Sequence, residues 1–286
     1  MNIVLYFSCI LSIFFTLFSL CSNNLLNIWL CIELSILSVV PCFFSNYLFL
    51  NNYKSLLYYL VISSLSSGFL FSGFLFLNEG GVFLIFFSFF FKFGLFPFGF
   101  WFFIVFSSAS WIVIWLISVV GKILCPIITL FLLNNDNLYL IFFSFFIVNC
   151  LFNSLYFWFG VCNLRLLWAN MSLNSSSIFF LIFIIGCSNS IYLLIFYLLW
   201  STLICLNFFY NDLNYIDNIF NFNLIFILFA IPFSLGLIYK FLVTICLLNC
   251  NISWLIIFFI SLYNIMEQYY LFKLLGYNSS NNIYNY

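Results

Sequence analysis

The sequence predicts an all-α polytopic membrane protein of about ten transmembrane helices, arranged as two inverted five-helix repeats. Three observations lead there. Hydrophobic residues fill 67% of the 286 positions and charged residues only 4%, whereas a soluble domain carries about a quarter charged residues. Apolar runs recur at the length of about 20 residues that a hydrocarbon core of about 30 Å requires. The connectors between them are short and built of Asn, Ser, Gly and a few charges, so residues 1–286 read as a single transmembrane domain.

Cutting the chain at its polar clusters predicts spans at 3–20, 25–48, 55–77, 81–106, 108–132, 138–160, 164–186, 189–210, 219–247 and 252–274. The clearest connectors are Ser22-Asn23-Asn24, Asn51-Asn52, Asn78-Glu79-Gly80-Gly81, Asn134-Asn135-Asp136-Asn137 and the stretch from Asn211 to Asn218. Residues 1–133 form the first repeat, 134–275 the second, and 276–286 a polar tail too short to span. An even number of spans puts both termini on one face. Lys54, Arg165 and Lys273 fall on that face and Glu79 and Asp136 on the other, which by the positive-inside rule makes the face with the termini the matrix or cytoplasmic one.

Six Lys+Arg balance six Asp+Glu, so no basic stripe exists to neutralise phosphates, and nucleic acid is excluded as a partner. The chain has no His, which removes the usual ligand for haem, copper or catalytic zinc. Its 11 Cys are scattered without CxxC spacing and read as small buried hydrophobes. Phe at 47 residues, with abundant Leu, Ile, Asn and Tyr, is what codons rich in T and A supply, a hint of an organelle-encoded protein. No charged presequence precedes the first apolar run, which agrees with insertion where the chain is made.

Charge inside the spans is the functional signal, because a charged side chain near the bilayer centre costs about 2.5 to 3.5 kcal/mol on insertion scales. Glu33, Lys92, Lys122 and Lys240 qualify. At 1.5 Å per residue Glu33 sits about 12 Å along its helix and Lys92 about 17 Å along its own, counted from the same face, so the two can pair if their helices touch. Pairing and desolvation act in opposite directions on such a Lys, so moving its partner switches its proton. A fixed structural ion pair is the competing reading of the same two residues. Lys122 and Lys240 have no evident carboxylate in the sequence, which favours a hydrated polar path.

Broken helices are the second signal, since Gly and Pro inside a span free backbone carbonyls that need other partners. Gly94 and Pro97 follow Lys92 in the fourth span, and Pro232 and Gly236 precede Lys240 in the ninth. Each is the fourth member of a set of five, and matching interruptions in two halves point to an inverted-repeat ion path. Ser63-Ser64, Ser66-Ser67, Ser172 and Ser175-Ser176-Ser177 suit close helix packing first and water-holding second.

In chain order these motifs resemble the antiporter-like chain 2 family (NADH dehydrogenase subunit 2) of mitochondrial NADH:ubiquinone oxidoreductase, respiratory complex I. Trp29 to Leu34 followed by Pro41 resembles the family's Glu helix, and Tyr53-Lys54 through Tyr58-Tyr59-Leu60 its K-Y-F-L segment. Lys92 to Trp101 resembles K-L-G-x-x-P-F-H-F-W, and Lys122 to Ile127 resembles K-L-A-P-I. Asn163-Leu164-Arg165 followed by Ser172 resembles N-x-x-x-L-R-K, and Pro232 to Lys240 resembles P-P-x-x-G-F-x-x-K. The likeness runs over roughly residues 25–245. It departs at Gly99 and Ser175, where the family has His, at Leu166, where it has Lys, and at the C-terminal edge, where family members carry a further helix.

The resemblance implies Lys92 as the central proton-carrying lysine modulated by Glu33, Lys122 as the bridging lysine and Lys240 as the lysine of the second half-channel. It also implies that the chain holds no cofactor, with NADH, FMN, iron–sulfur clusters and ubiquinone in partner subunits. The expected partners are other membrane-arm subunits and the bilayer, and the expected location is the mitochondrial inner membrane with both termini on the matrix side. Sibling chains 4 and 5 are disfavoured because only one span precedes the Glu helix here. A stand-alone cation/proton antiporter and a purely structural scaffold are the rival classes.

Overall fold

The computed structural model describes residues 2–283 apart from 46–48, 77–78, 133–135, 162, 188, 215–226 and 251–252. The described secondary structure is helical. The helices are α1 Asn2–Cys21, α2 Leu25–Val39 continued by a 3-10 turn Val40–Ser45, α3 Phe49–Leu75, α4 Glu79–Phe93, α5 Phe100–Ser108 and α6 Trp111–Ser118. A second 3-10 turn, Val120–Leu124, leads to α7 Ile127–Leu132. Then come α8 Asp136–Phe159, α9 Leu164–Ile185, α10 Ser190–Asn214, α11 Leu235–Asn249 and α12 Trp254–Ile283. Among the described residues, 7 helical stretches are long and apolar enough to cross a bilayer. Three shorter apolar helices, Gly80–Phe93, Phe143–Phe159 and Leu235–Asn249, fall in the predicted fourth, sixth and ninth spans, so every predicted span holds a helix. The chain is a multi-pass membrane protein.

On α1 burial is inverted relative to a soluble fold. Along α1 the buried positions are Ser8, Ser12, Thr16 and Ser19, while Ile10, Phe14 and Leu17 face outward. Lipid is as apolar as Leu and offers no drive to bury it, so small hydroxyl residues take the contact face and let α1 approach α2 closely. Each hydroxyl in the stripe bonds back to a carbonyl one turn earlier, as in Ser12 Oγ to Cys9 O at 2.7 Å. On α10 the outward stripe is Ile191, Ile195, Leu199, Leu203 and Leu206. The most polar helix is the most enclosed: α9 carries Asn170, Ser172, Asn174 and Ser175 to Ser177, and every residue from 167 to 184 is buried. It packs against α5, α7, α8 and α10, forming the axis of the bundle.

Proline shapes the interruptions, because it lacks the N–H that would satisfy the carbonyl four residues earlier. Pro97 orphans Phe93 O, and α4 closes there with Gly94 at φ +63, Leu95 N donating to Phe90 O at 3.1 Å. Pro126 orphans Lys122 O, and the chain tightens so that Cys125 N reaches it at 3.0 Å. The fifth span is therefore broken as well, a break the sequence reading did not single out. In the ninth span the interruption covers residues 229–234, with Phe233 at φ 66. Gly236 lies one residue into α11, where a Cβ would come within 3.0 Å of Ile227 O and Leu228 O. It therefore serves close approach and does not itself break the helix.

One cysteine expectation is corrected. Cys187 and Cys250, 63 residues apart, form a disulfide between the segments that follow α9 and α11. A bond between such distant positions leaves no spacing signal in the sequence. Cys31, Cys42, Cys125, Cys150, Cys205 and Cys246 are free and buried, as expected of small hydrophobes. The start of the ninth span, the connector residues 215–218, Asn78, Asn134-Asn135, Cys162 and the side chains of Glu79 and Asp136 lie outside the described residues.

Candidate functional site

Lys92 occupies the last turn of α4, immediately before the break. Two groups that the break leaves without helical partners are met by side chains from other helices, and one carbonyl by an indole from beyond the break. Ser176 Oγ donates to Phe93 O at 3.3 Å, Phe96 N donates to Asn149 Oδ1 at 3.2 Å, and Trp101 Nε1 donates to Phe91 O at 3.1 Å. The ninth-span break uses the same devices, with Trp200 Nε1 donating to Ile227 O at 3.0 Å and Ala230 N to Gln268 Oε1 at 3.0 Å. Neighbouring side chains thus stabilise irregular backbone at membrane depth.

The Lys92 amine is shielded from solvent and makes no hydrogen bond to protein. It lines a cavity of about 60 Å³ together with Lys122 and the hydroxyls of Ser12, Thr16, Ser35, Ser66 and Ser176. That space exceeds the roughly 10 to 15 Å³ that a single water needs, so it can hold more than one. Leaving a buried ammonium without partners costs several kcal/mol, and the cavity has room for water beside the amine. Glu33 does not pair with Lys92. It stands on α2, partly exposed, within electrostatic range of Lys92 but in neither ion-pair nor hydrogen-bond contact with it. The predicted pairing needed touching helices, yet α2 packs mainly on α1 and α3.

Lys122 is held very differently. The turn imposed by Pro126 aims its side chain into the bundle axis, where it is 2% exposed. Its amine donates to Ser172 O at 2.9 Å, to Ser175 Oγ, and to Tyr197 OH at 2.6 Å, and it lies 4.2 Å from the Tyr197 ring centroid. Ser175 Oγ also donates to Tyr197 OH at 3.2 Å. Ser175 then lines a second cavity, about 20 Å³, shared with Tyr239, Lys240, Tyr263 and Glu267. Lys240 Nζ sits 2.7 Å from Glu267 Oε1, with the two side chains 15% and 5% exposed. The expectation that Lys240 lacks a carboxylate is thus overturned, because the final helix supplies one.

The structure brings three of the four predicted residues into one row: Lys92 and Lys122 share the first cavity, and Ser175 links Lys122 to the cavity of Lys240. Ser175 and Tyr197 supply the oxygens between them, and a row of amines, hydroxyls and water-sized cavities can pass protons by short hops. Sequence reasoning missed Tyr197 and Glu267. Tyr197 carries no formal charge to mark it. Glu267 is a charged residue within the tenth predicted span, the criterion that selected Lys92, but Gln268 and nearby Lys273 give its surroundings the look of a helix end.

No family model and no curated protein matches the chain. The fold matches a subunit in the structure of the membrane-bound sulfane sulfur reductase, an archaeal respiratory membrane complex, with TM-score 0.74 and 14% identity over 88% of this chain and 62% of that one. It also matches a chain of respiratory complex I from Thermus thermophilus with bound aureothin, with TM-score 0.69 and 16% identity over 87% of this chain and 65% of that one. This chain therefore spans under two thirds of either relative's length and shares their helical architecture.

Proposed function

We propose that this chain is an antiporter-like membrane-arm subunit of an NADH:ubiquinone oxidoreductase, carrying protons across the mitochondrial inner membrane. Residues 1–133 and 134–275 act as the two half-channels. One observation carries the reading: a row of amines and hydroxyls, Lys92, Lys122, Ser175 with Tyr197, then Lys240, runs through the helix bundle. Protons enter the Lys92 cavity, pass to Lys122 through its water, and cross to the Lys240 cavity over the Ser175 and Tyr197 oxygens. Glu33 acts on Lys92 through space and biases its proton without touching it. Where the resembling family uses imidazole, this chain has a hydroxyl at Ser175 and no side chain at Gly99, which suits a wire of water and OH groups. NADH, FMN, iron–sulfur clusters and ubiquinone belong to partner subunits whose redox chemistry drives the transfer.

The scaffold reading draws on Lys122, whose three hydrogen bonds suit a strut. Lys92 opposes it, since a strut gains nothing from a buried amine with no protein partner beside a water-sized cavity. The test is Lys92→Met in the complex isolated through this chain and reconstituted into liposomes. Proton uptake reported by a pH-sensitive dye is expected to fall at least tenfold with the subunit composition unchanged. Uptake at the wild-type ratio to NADH oxidised refutes the reading, and uptake by the purified chain alone in response to an imposed cation gradient favours a stand-alone antiporter.

A further inference from the structure

Glu267 is a buried carboxylate paired with Lys240. Its Oε1 accepts from Lys240 Nζ at 2.7 Å and from Gln268 Nε2 at 3.3 Å, and the Tyr263 hydroxyl stands beside it on the same cavity. A buried ion pair offsets its desolvation only when the remaining lone pairs are also satisfied. This pair borders a cavity of about 20 Å³, room for one water. The ionisable groups lining its cavity are Lys240 and Tyr239 from α11 and Tyr263 from α12 itself, with Cys150 of α8 within electrostatic range of Tyr263; α9 and α10 contribute Asn174, Ser175 and Trp200, which carry no charge. The Tyr239 hydroxyl is buried and makes no hydrogen bond to protein.

We propose that Glu267 exchanges a proton with Lys240, and that Gln268 ties this exchange to the ninth-span break. The proposal rests on the proton-carrying reading of Lys240 given above. In the step, one proton moves from the Lys240 ammonium to Oε1 of the Glu267 carboxylate. The pair goes from two opposite charges to a neutral amine and a neutral acid, so charge balances and no co-reactant is needed. The acid then releases its proton to water in the cavity, and the amine is reprotonated from the Ser175 side. Gln268 spans both parts, donating through Nε2 to Glu267 and accepting through Oε1 from Ala230 N at 3.0 Å. A shift of residues 229–234 therefore moves a donor of the carboxylate, and the protonation state of Glu267 pulls back on the break. The second half thereby acquires a carboxylate in direct contact with its lysine, which the first half lacks.

The test compares E267Q, E267D and K240M in the whole complex in liposomes, reading protons taken up per NADH and the pH profile of uptake. E267Q retains size and hydrogen bonding, and it is expected to lower the proton ratio at least twofold with assembly intact. E267D retains the acid but lengthens the contact, and it is expected to keep most of the ratio with a displaced pH profile. A normal ratio in E267Q beside a lowered one in K240M overturns the role of Glu267 and leaves the proton-carrying reading standing. Normal ratios in both overturn that reading too. Should E267Q fail to assemble, a displaced E267D profile supports the exchange and a superimposable one overturns it.

Discussion

Tyr197→Phe removes one oxygen from the middle of the row and little else. Tyr197 is fully enclosed, and its ring packs on Phe179, Trp200 and Tyr239, contacts that Phe preserves. The approach of the Lys122 amine, 4.2 Å from the ring centroid, survives as well. Lost are the hydrogen bond from Lys122 at 2.6 Å and the one from Ser175 at 3.2 Å. A hydrogen bond to a charged group contributes about 1.5 to 3 kcal/mol. If that stabilises the proton in transit between the two cavities, its loss slows the crossing by about 10- to 150-fold at roughly 1.4 kcal/mol per factor of ten. Dye-reported proton uptake in liposomes should drop by at least the lower factor, while Ser172 O and Ser175 Oγ still hold Lys122 and the complex still assembles. Uptake at the wild-type rate in Tyr197→Phe, alongside loss of uptake in Lys122→Met, would show that the proton crosses by another route.

Two further outcomes are expected. Gly94→Ala places a Cβ on a residue at φ +63, 3.0 Å from Leu173 Cδ2 and 3.2 Å from Phe102 Cδ2; the strain of about 1 to 3 kcal/mol should lower the thermal midpoint of the complex, and an unchanged midpoint would count against a tight cap at the α4 break. Following the ten spans, Cys187 and Cys250 fall on the face opposite Lys54 and Arg165. After reduction, a membrane-impermeant maleimide added from that opposite face should label both, and labelling from the Lys54 side would refute the assigned orientation.

The four predicted break residues illustrate how far sequence reasoning reached. Gly94, Pro97 and Pro232 lie within interruptions and Gly236 beside one, because a missing N–H or a required left-handed turn is a local property that the chain carries wherever it folds. Pro126 obeys the same rule. Its consequence leaves no mark in hydropathy, because a 3-10 turn keeps the span's apolar length. Lys92, Lys122 and Lys240 stood out for a similar reason, as each is a charge in an apolar run whatever surrounds it.

The apolar spans, the helices, their breaks and the charges stranded inside them all follow from residue chemistry and rise per residue. The partners of those charges follow from how the helices pack. Glu33 and Lys92 come from helices that do not meet closely, while Lys240 and Glu267, 27 positions apart, do. Ser175 and Tyr197 became a bridge because α9 and α10 each turn a hydroxyl toward the same amine. Distances between side chains on different helices depend on which faces pack together, and in a bundle surrounded by lipid nearly every face is apolar enough to be either inside or out.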